Sequence, residues 1–151
     1  MINSHKLSKI PIRYMEDCFF CKIGNKHIDS QVICENDDAL AFLDIKPLSP
    51  GHTVVIPKTH AENILDLEDS KIGAVFGLVK RVTRVLNKSF RPDGFTIGIN
   101  HGSMLGQVDH LHIHVIPRFK GDGEKSLHSL VNNPPKESLS EIRSKIIDNT
   151  N

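Results

Sequence analysis

Residues 110–118, HLHIHVIPR, alternate histidine with aliphatic side chains at a period of two. That period is a strand signature, because successive side chains of a β-strand point to opposite faces, whereas a helix repeats every 3.6 residues. The segment therefore calls for a sheet with His110, His112 and His114 on one face and Leu111, Ile113 and Val115 on the other. The aliphatic set needs a hydrophobic cover. The histidine set is expected to line a polar cleft facing away from the core.

The rest of the chain supplies both sheet and cover. SQVICEN (30–36) and DALAFLDI (38–45) read as strands around an ENDD turn, and HTVVIPK (52–58) is a third strand after the Pro/Gly punctuation of KPLSPG. GFTIGIN (94–100) is the fourth strand and the histidine segment the fifth. Between the third and fourth lies one long helix, capped by Asp69 or Ser70. Its apolar stripe is Ile72, Val75, Phe76, Val79, Val82 and Leu86, spaced by three or four for the most part. DCFFCKIG (17–24) reads as a short helical turn closed by Gly24, and KESLSEIRSKIID (136–148) as a short C-terminal helix. Strands grouped around one segregated helix predict an α+β fold with an antiparallel sheet of about five strands. Residues 1–16 are expected to be a loosely ordered extension, 17–122 the domain, and 123–151 a tail.

Charge narrows the partners. Nineteen Lys+Arg against 18 Asp+Glu leave a net charge of +1, so neither a nucleic-acid polymer nor an acidic membrane is the expected partner. No stretch has the length and apolarity of a membrane span or signal peptide, and a soluble cytoplasmic protein is expected. Three cysteines, Cys18, Cys21 and Cys34, argue against a disulfide framework and leave metal binding or free thiols. Nine histidines with no tryptophan and one tyrosine favour polar chemistry over aromatic recognition.

Three readings of the histidine row compete. A solvated strand face would suit one histidine better than three in register. A single metal held by all three is disfavoured, because same-face positions lie roughly 6–7 Å apart per step. Nucleophilic and acid–base chemistry suits neutral imidazole near pH 7.

The string HLHIHVI resembles the alternating signature of the histidine triad (HIT) family of nucleotide hydrolases and transferases. CFFCKI, ALAFLDIKPLSPGHTVVIPKTH and HVIPR match that family in the same order, over about residues 17–118. The resemblance implies a HIT-like fold, commonly a homodimer with a sheet continuous across its interface. It also implies attack by His112 on the α-phosphorus of a nucleotide, giving a covalent nucleotidyl-histidine. The carbonyl beside His110 would orient that ring, with His114 and His52 near the phosphate. Asn100 and Gln107 would contact phosphate or leaving group, Asp44 the ribose hydroxyls, and Phe19, Phe20, Ile23 and Leu43 would wall the base; these apolar residues suit a hydrophobic core equally well. One departure stands out: GQVDH has one residue fewer than the family pattern before the first histidine and lacks its small hydroxyl residue. Either Ser103 substitutes, with Gln107 shifted in register, or the leaving group is protonated differently.

Cys18 and Cys21 form a C-x₂-C pair, which by itself suits zinc, redox chemistry or packing. Branches of the family join such a pair to a histidine after the third strand and the first triad histidine, here His60 and His110. That set implies a structural zinc, with none required for catalysis. Cys34 lies in an apolar strand, where a buried free thiol is expected. The implied activity is a dinucleoside polyphosphate hydrolase or a nucleoside phosphoramidase acting on a purine nucleotide such as an AMP derivative. The alternatives are a catalytically weak nucleotide-binding regulatory module and a zinc-dependent interaction domain.

Overall fold

The computed structural model describes residues 16–102, 105 and 108–150. The expected N-terminal extension, apart from Glu16, lies outside the described residues, as do Ser103 and Gln107. Five strands form one antiparallel sheet: β1 (Val32–Glu35), β2 (Ala39–Leu43), β3 (Thr53–Pro57), β4 (Gly94–Gly98) and β5 (Ile113–Arg118), in the order β1-β2-β3-β5-β4. Helices α1 (Phe19–Gly24), α2 (Asp69–Phe90) and α3 (Leu139–Ile147) and a 3₁₀ turn at Leu127–Ser129 complete it.

α2 covers one face. Val75, Leu78, Val79, Val82 and Leu86 pack with Ala39, Ala41, Val55, Leu111, Ile113 and Val115, the predicted inward set of the histidine segment. The stripe sits slightly off the predicted one, since Ile72 and Phe76 are partly exposed and Leu78 is buried. Neither predicted capping residue caps α2. Glu68 occupies the N-cap without a side-chain bond, while Asp69 lies in the first turn, where a carboxylate suits the helix dipole.

The other face carries a second cluster, in which Ile23 of α1 meets Leu40, Phe42, Val54 and Ile56. β2 and β3 are thus covered on both sides, which explains why ALAFL and TVVIP read as unbroken apolar runs. Cys34 packs beside the α2 cluster as a half-buried free thiol, not the buried one expected from its strand.

The histidine segment departs from a full strand. β5 begins only at Ile113, because Leu111 N–H donates to Ala61 O at 2.6 Å instead of joining the β3 ladder. α1 closes over the histidine side, so His110 is fully buried and His112 is 8% exposed, while His114 stays partly exposed as a cleft residue would be. β4 ends at Gly98, so Asn100 sits exposed in the following loop rather than on the strand.

Candidate active site and metal centre

Three elements bring the polar residues together. Val54 of β3 pairs with His114 of β5, and His52 lies two residues before Val54 on the same strand face. Gly51 makes the turn that delivers His52, with φ +84 and an ideal Cβ position 2.8 Å from the Phe90 ring, so a side chain there is both strained and obstructed. Phe20 of α1 stands edge-on to His112 and His110, with ring centroids 5.2 and 6.0 Å away.

Hydrogen bonds assign the tautomers. His112 Nδ1–H donates to His110 O at 2.6 Å; a carbonyl can only accept, so in the neutral ring the lone pair is on Nε2. Leu48 N–H donates to His52 Nδ1 at 3.1 Å, which places the proton of the neutral ring on Nε2. That Nε2–H donates to His114 Nδ1 at 2.9 Å, leaving His114 with an Nε2–H. The site therefore presents a lone pair on His112 beside an N–H on His114, with ring centroids 5.1 Å apart. Both auxiliary histidines are held neutral. Burial is the main cause for His114, pushed down to about 4, with help from His112 and His52; burial also lowers His52, against the nearby Asp44 carboxylate.

Asp44 closes this cluster. Its Oδ2 lies 3.6 Å from His52 Nε2 and 3.9 Å from His114 Nδ1, while Lys46 N–H donates to its Oδ1 at 2.8 Å. The three ligand atoms are close enough to grip a metal ion. A metal on His52 Nε2 would, however, require a proton on Nδ1, where Leu48 already donates.

A different cluster suits zinc. Cys18 Sγ, Cys21 Sγ, His60 Nδ1 and His110 Nδ1 all lie within 4.8 Å of one another. His110 Nδ1 is 3.4 Å from both sulfurs, and His60 Nδ1 is 3.3 Å from Cys21 Sγ. A tetrahedral zinc with bonds of about 2.3 Å to sulfur and about 2.0 Å to nitrogen gives S···N edges of roughly 3.5 Å. His110 Nε2–H donates to Pro57 O at 2.9 Å, which turns the Nδ1 lone pair toward the thiols. Burial and Cys18 push the Cys21 thiol up to about 12, so that thiol keeps its proton until a cation draws it off. The four residues fit the ion.

Residues 25–121 match the HIT domain family profile. The chain belongs to the HIT family. The HIT family structure from Bacillus subtilis superposes with a TM-score of 0.79 at 37% identity, covering 89% of this chain and 98% of that one. Adenosine 5'-monophosphoramidase of Schizosaccharomyces pombe is 40% identical over 102 residues, 67% of this chain and 74% of that protein. A zinc-bound histidine triad family protein from Mycobacterium smegmatis has a TM-score of 0.67 at 30% identity, covering 87% and 99% of the two chains.

Within this HIT domain the sequence-derived residues separate into groups. His52, His110, His112, His114 and Asp44 converge as described, and Cys18, Cys21, His60 and His110 form their own cluster. Phe20 meets the triad, whereas Ile23 is 4% exposed and serves the second core cluster. Phe19 and Leu43 are exposed by 44% and 38%. Two contributors went unread in the sequence: the Leu48 amide, a main-chain group with no residue signature, and Phe20 as a cover over the triad. Among the described residues, no helix is long and apolar enough to cross a membrane.

Proposed function

We propose that this HIT protein is a nucleotide hydrolase acting at an α-phosphate through His112. The observation that carries the reading is the 2.6 Å bond from His112 Nδ1–H to His110 O, which in the neutral ring leaves Nε2 as the nucleophilic nitrogen. Attack forms an Nε2–P bond and breaks the bond to the leaving group, which departs with the electron pair and takes up a proton. Water then attacks phosphorus, the P–N bond to His112 breaks, and the nucleoside monophosphate is released. His114 Nε2–H would bind a non-bridging oxygen as charge builds there, with Asn100 as a further donor from its loop; Gln107 and Ser103 keep that same proposed role. Asp44 would accept from the ribose hydroxyls, and Phe19, Phe20 and Leu43 would hold a purine base, with Ile23 supporting them from below.

Cys18, Cys21, His60 and His110 would hold a structural zinc, which when bound ties α1 and the loop after β3 to the strand carrying the nucleophile. The named S. pombe relative favours a phosphoramidase over a dinucleoside polyphosphate hydrolase. A homodimer would pair across β4, an edge strand beside a groove lined by Phe76, Phe95 and Ile97. The free thiols suit a reducing cytoplasm. The test is turnover of adenosine phosphoramidate against diadenosine tetraphosphate, with mass spectrometry of quenched reactions for a nucleotidyl adduct. Nucleotide binding without turnover or adduct would instead identify a regulatory module.

A further inference from the structure

Cys18 and Cys21 are placed for more than metal binding. Their sulfurs lie within 4.8 Å of each other, and the Cys21 amide donates to Cys18 Sγ at 3.5 Å, which holds the half-buried thiol beside the buried one. A disulfide needs the two sulfurs to close to about 2.05 Å, the closure that C-x₂-C redox pairs make. Cys34, the remaining thiol, packs with the α2 cluster and takes no part in the pair.

The pair touches the residue that orients the nucleophile. His110 Nδ1 stands 3.4 Å from both sulfurs, its Nε2–H is fixed on Pro57 O, and the ring is fully buried. The carbonyl of the same residue accepts the bond from His112 Nδ1–H. Residues 110–112 precede β5, which starts at Ile113, so the β3 ladder does not fix that carbonyl. The segment is held instead by the His110 ring and by Leu111 N–H on Ala61 O, both anchored on the stretch from Pro57 to Ala61 that also carries His60. The two thiols are therefore linked to His112 through His110 alone, by its ring on one side and its carbonyl on the other.

We propose that Cys18 and Cys21 are also an oxidation site, at which a peroxide closes a disulfide, releases the zinc and slows the reaction at His112. The sulfur of Cys18, the more accessible of the two, attacks a peroxide oxygen. The O–O bond breaks, one water leaves and Cys18 becomes a sulfenic acid. The sulfur of Cys21 then attacks that of Cys18, the S–O bond breaks, and the departing hydroxide takes the Cys21 proton to become a second water. The thiols lose two electrons and the peroxide gains both; from the zinc-bound thiolates, the two protons come from solvent. Once both sulfurs are in a disulfide, only His60 and His110 remain of four ligands, too few to retain the ion. The buried Nδ1 of His110 then faces neither metal nor thiol, and the ring, with its carbonyl, moves to find a partner. The effect on His112 rests on the nucleotide hydrolase reading above, whereas the disulfide and the zinc release do not.

The test treats the full-length, zinc-bound protein with hydrogen peroxide. One zinc should be released per disulfide formed, followed with a chromogenic chelator, and mass spectra should show the Cys18–Cys21 cross-link with Cys34 still free. Turnover of adenosine phosphoramidate should fall roughly tenfold and return after dithiothreitol and added zinc. Cys34→Ser should respond as the wild type does. Oxidation that consumes Cys34 or methionine while the zinc and both thiols survive overturns the oxidation site. Disulfide and zinc release with unchanged turnover overturns the link to His112. A protein that turns over no nucleotide before oxidation overturns the hydrolase reading and that link with it, while the zinc and thiol counts still decide the oxidation site.

Discussion

His52 donates from Nε2 to His114 Nδ1 across 2.9 Å, and through that bond the main-chain amide of Leu48 sets the tautomer of a histidine on another strand. Replacing His52 by Leu removes the donor and frees His114 to reverse its tautomer. The expected outcome is a drop in kcat/KM of roughly 10- to 100-fold, with ring-nitrogen NMR showing a mixture of His114 tautomers. A single unchanged His114 tautomer in the variant would refute the relay.

His112→Asn should lower kcat by roughly 10³-fold or more, because it removes the nucleophile itself. Nucleotide affinity should stay within a few-fold, measured by calorimetry. The nucleotidyl adduct of the wild type should be missing from mass spectra of the variant.

Zinc content should respond to the four-residue cluster only. Metal analysis of the purified protein is expected to give one zinc per chain, lost in Cys21→Ala and retained in Cys34→Ser. Loss should lower the unfolding midpoint by roughly 10 °C, since the ion's binding energy contributes to folding. Retention of zinc by Cys21→Ala would remove Cys21 from the ligand set.

Stability should decline on the acid side. The His114 pKa falls from the ordinary 6.5 to about 4 on folding, and that of His52 falls too. The unfolded chain therefore takes up protons first as pH drops. The contribution is complete above pH 6.5 and is lost progressively as pH falls toward 4. After discounting for partial exposure it is about 1–2 kcal/mol, or roughly 3–6 °C in the unfolding midpoint between pH 7.5 and 5. A flatter profile is expected for His114→Asn.

Gly51→Ala should cost about 1–3 kcal/mol in chemical denaturation, from its left-handed backbone and the contact with Phe90. Because the same turn delivers His52, activity should fall beyond what the lost stability explains. Unaltered stability would mean that the turn relaxes freely.

The period-two pattern of HLHIHVIPR already determined which side chains meet α2 and which become the histidine row, because face selection depends only on parity along a strand. The apolar runs and the turn signals of KPLSPG likewise placed β1 to β4, and the C-x₂-C spacing singled out Cys18 and Cys21 as a pair. What parity could not decide was the environment of the histidine face, since burial depends on α1 folding back across the sheet from nearly a hundred residues away. The start of β5 at Ile113 was also hidden, because it follows from a bond between Leu111 N–H and the distant Ala61 carbonyl. The tautomers of four histidines likewise came only from the tertiary structure. Each ring has two nitrogens of equal standing in the sequence, and only the partners brought by folding, the carbonyls of Pro57 and His110 and the amide of Leu48, decide where each proton sits.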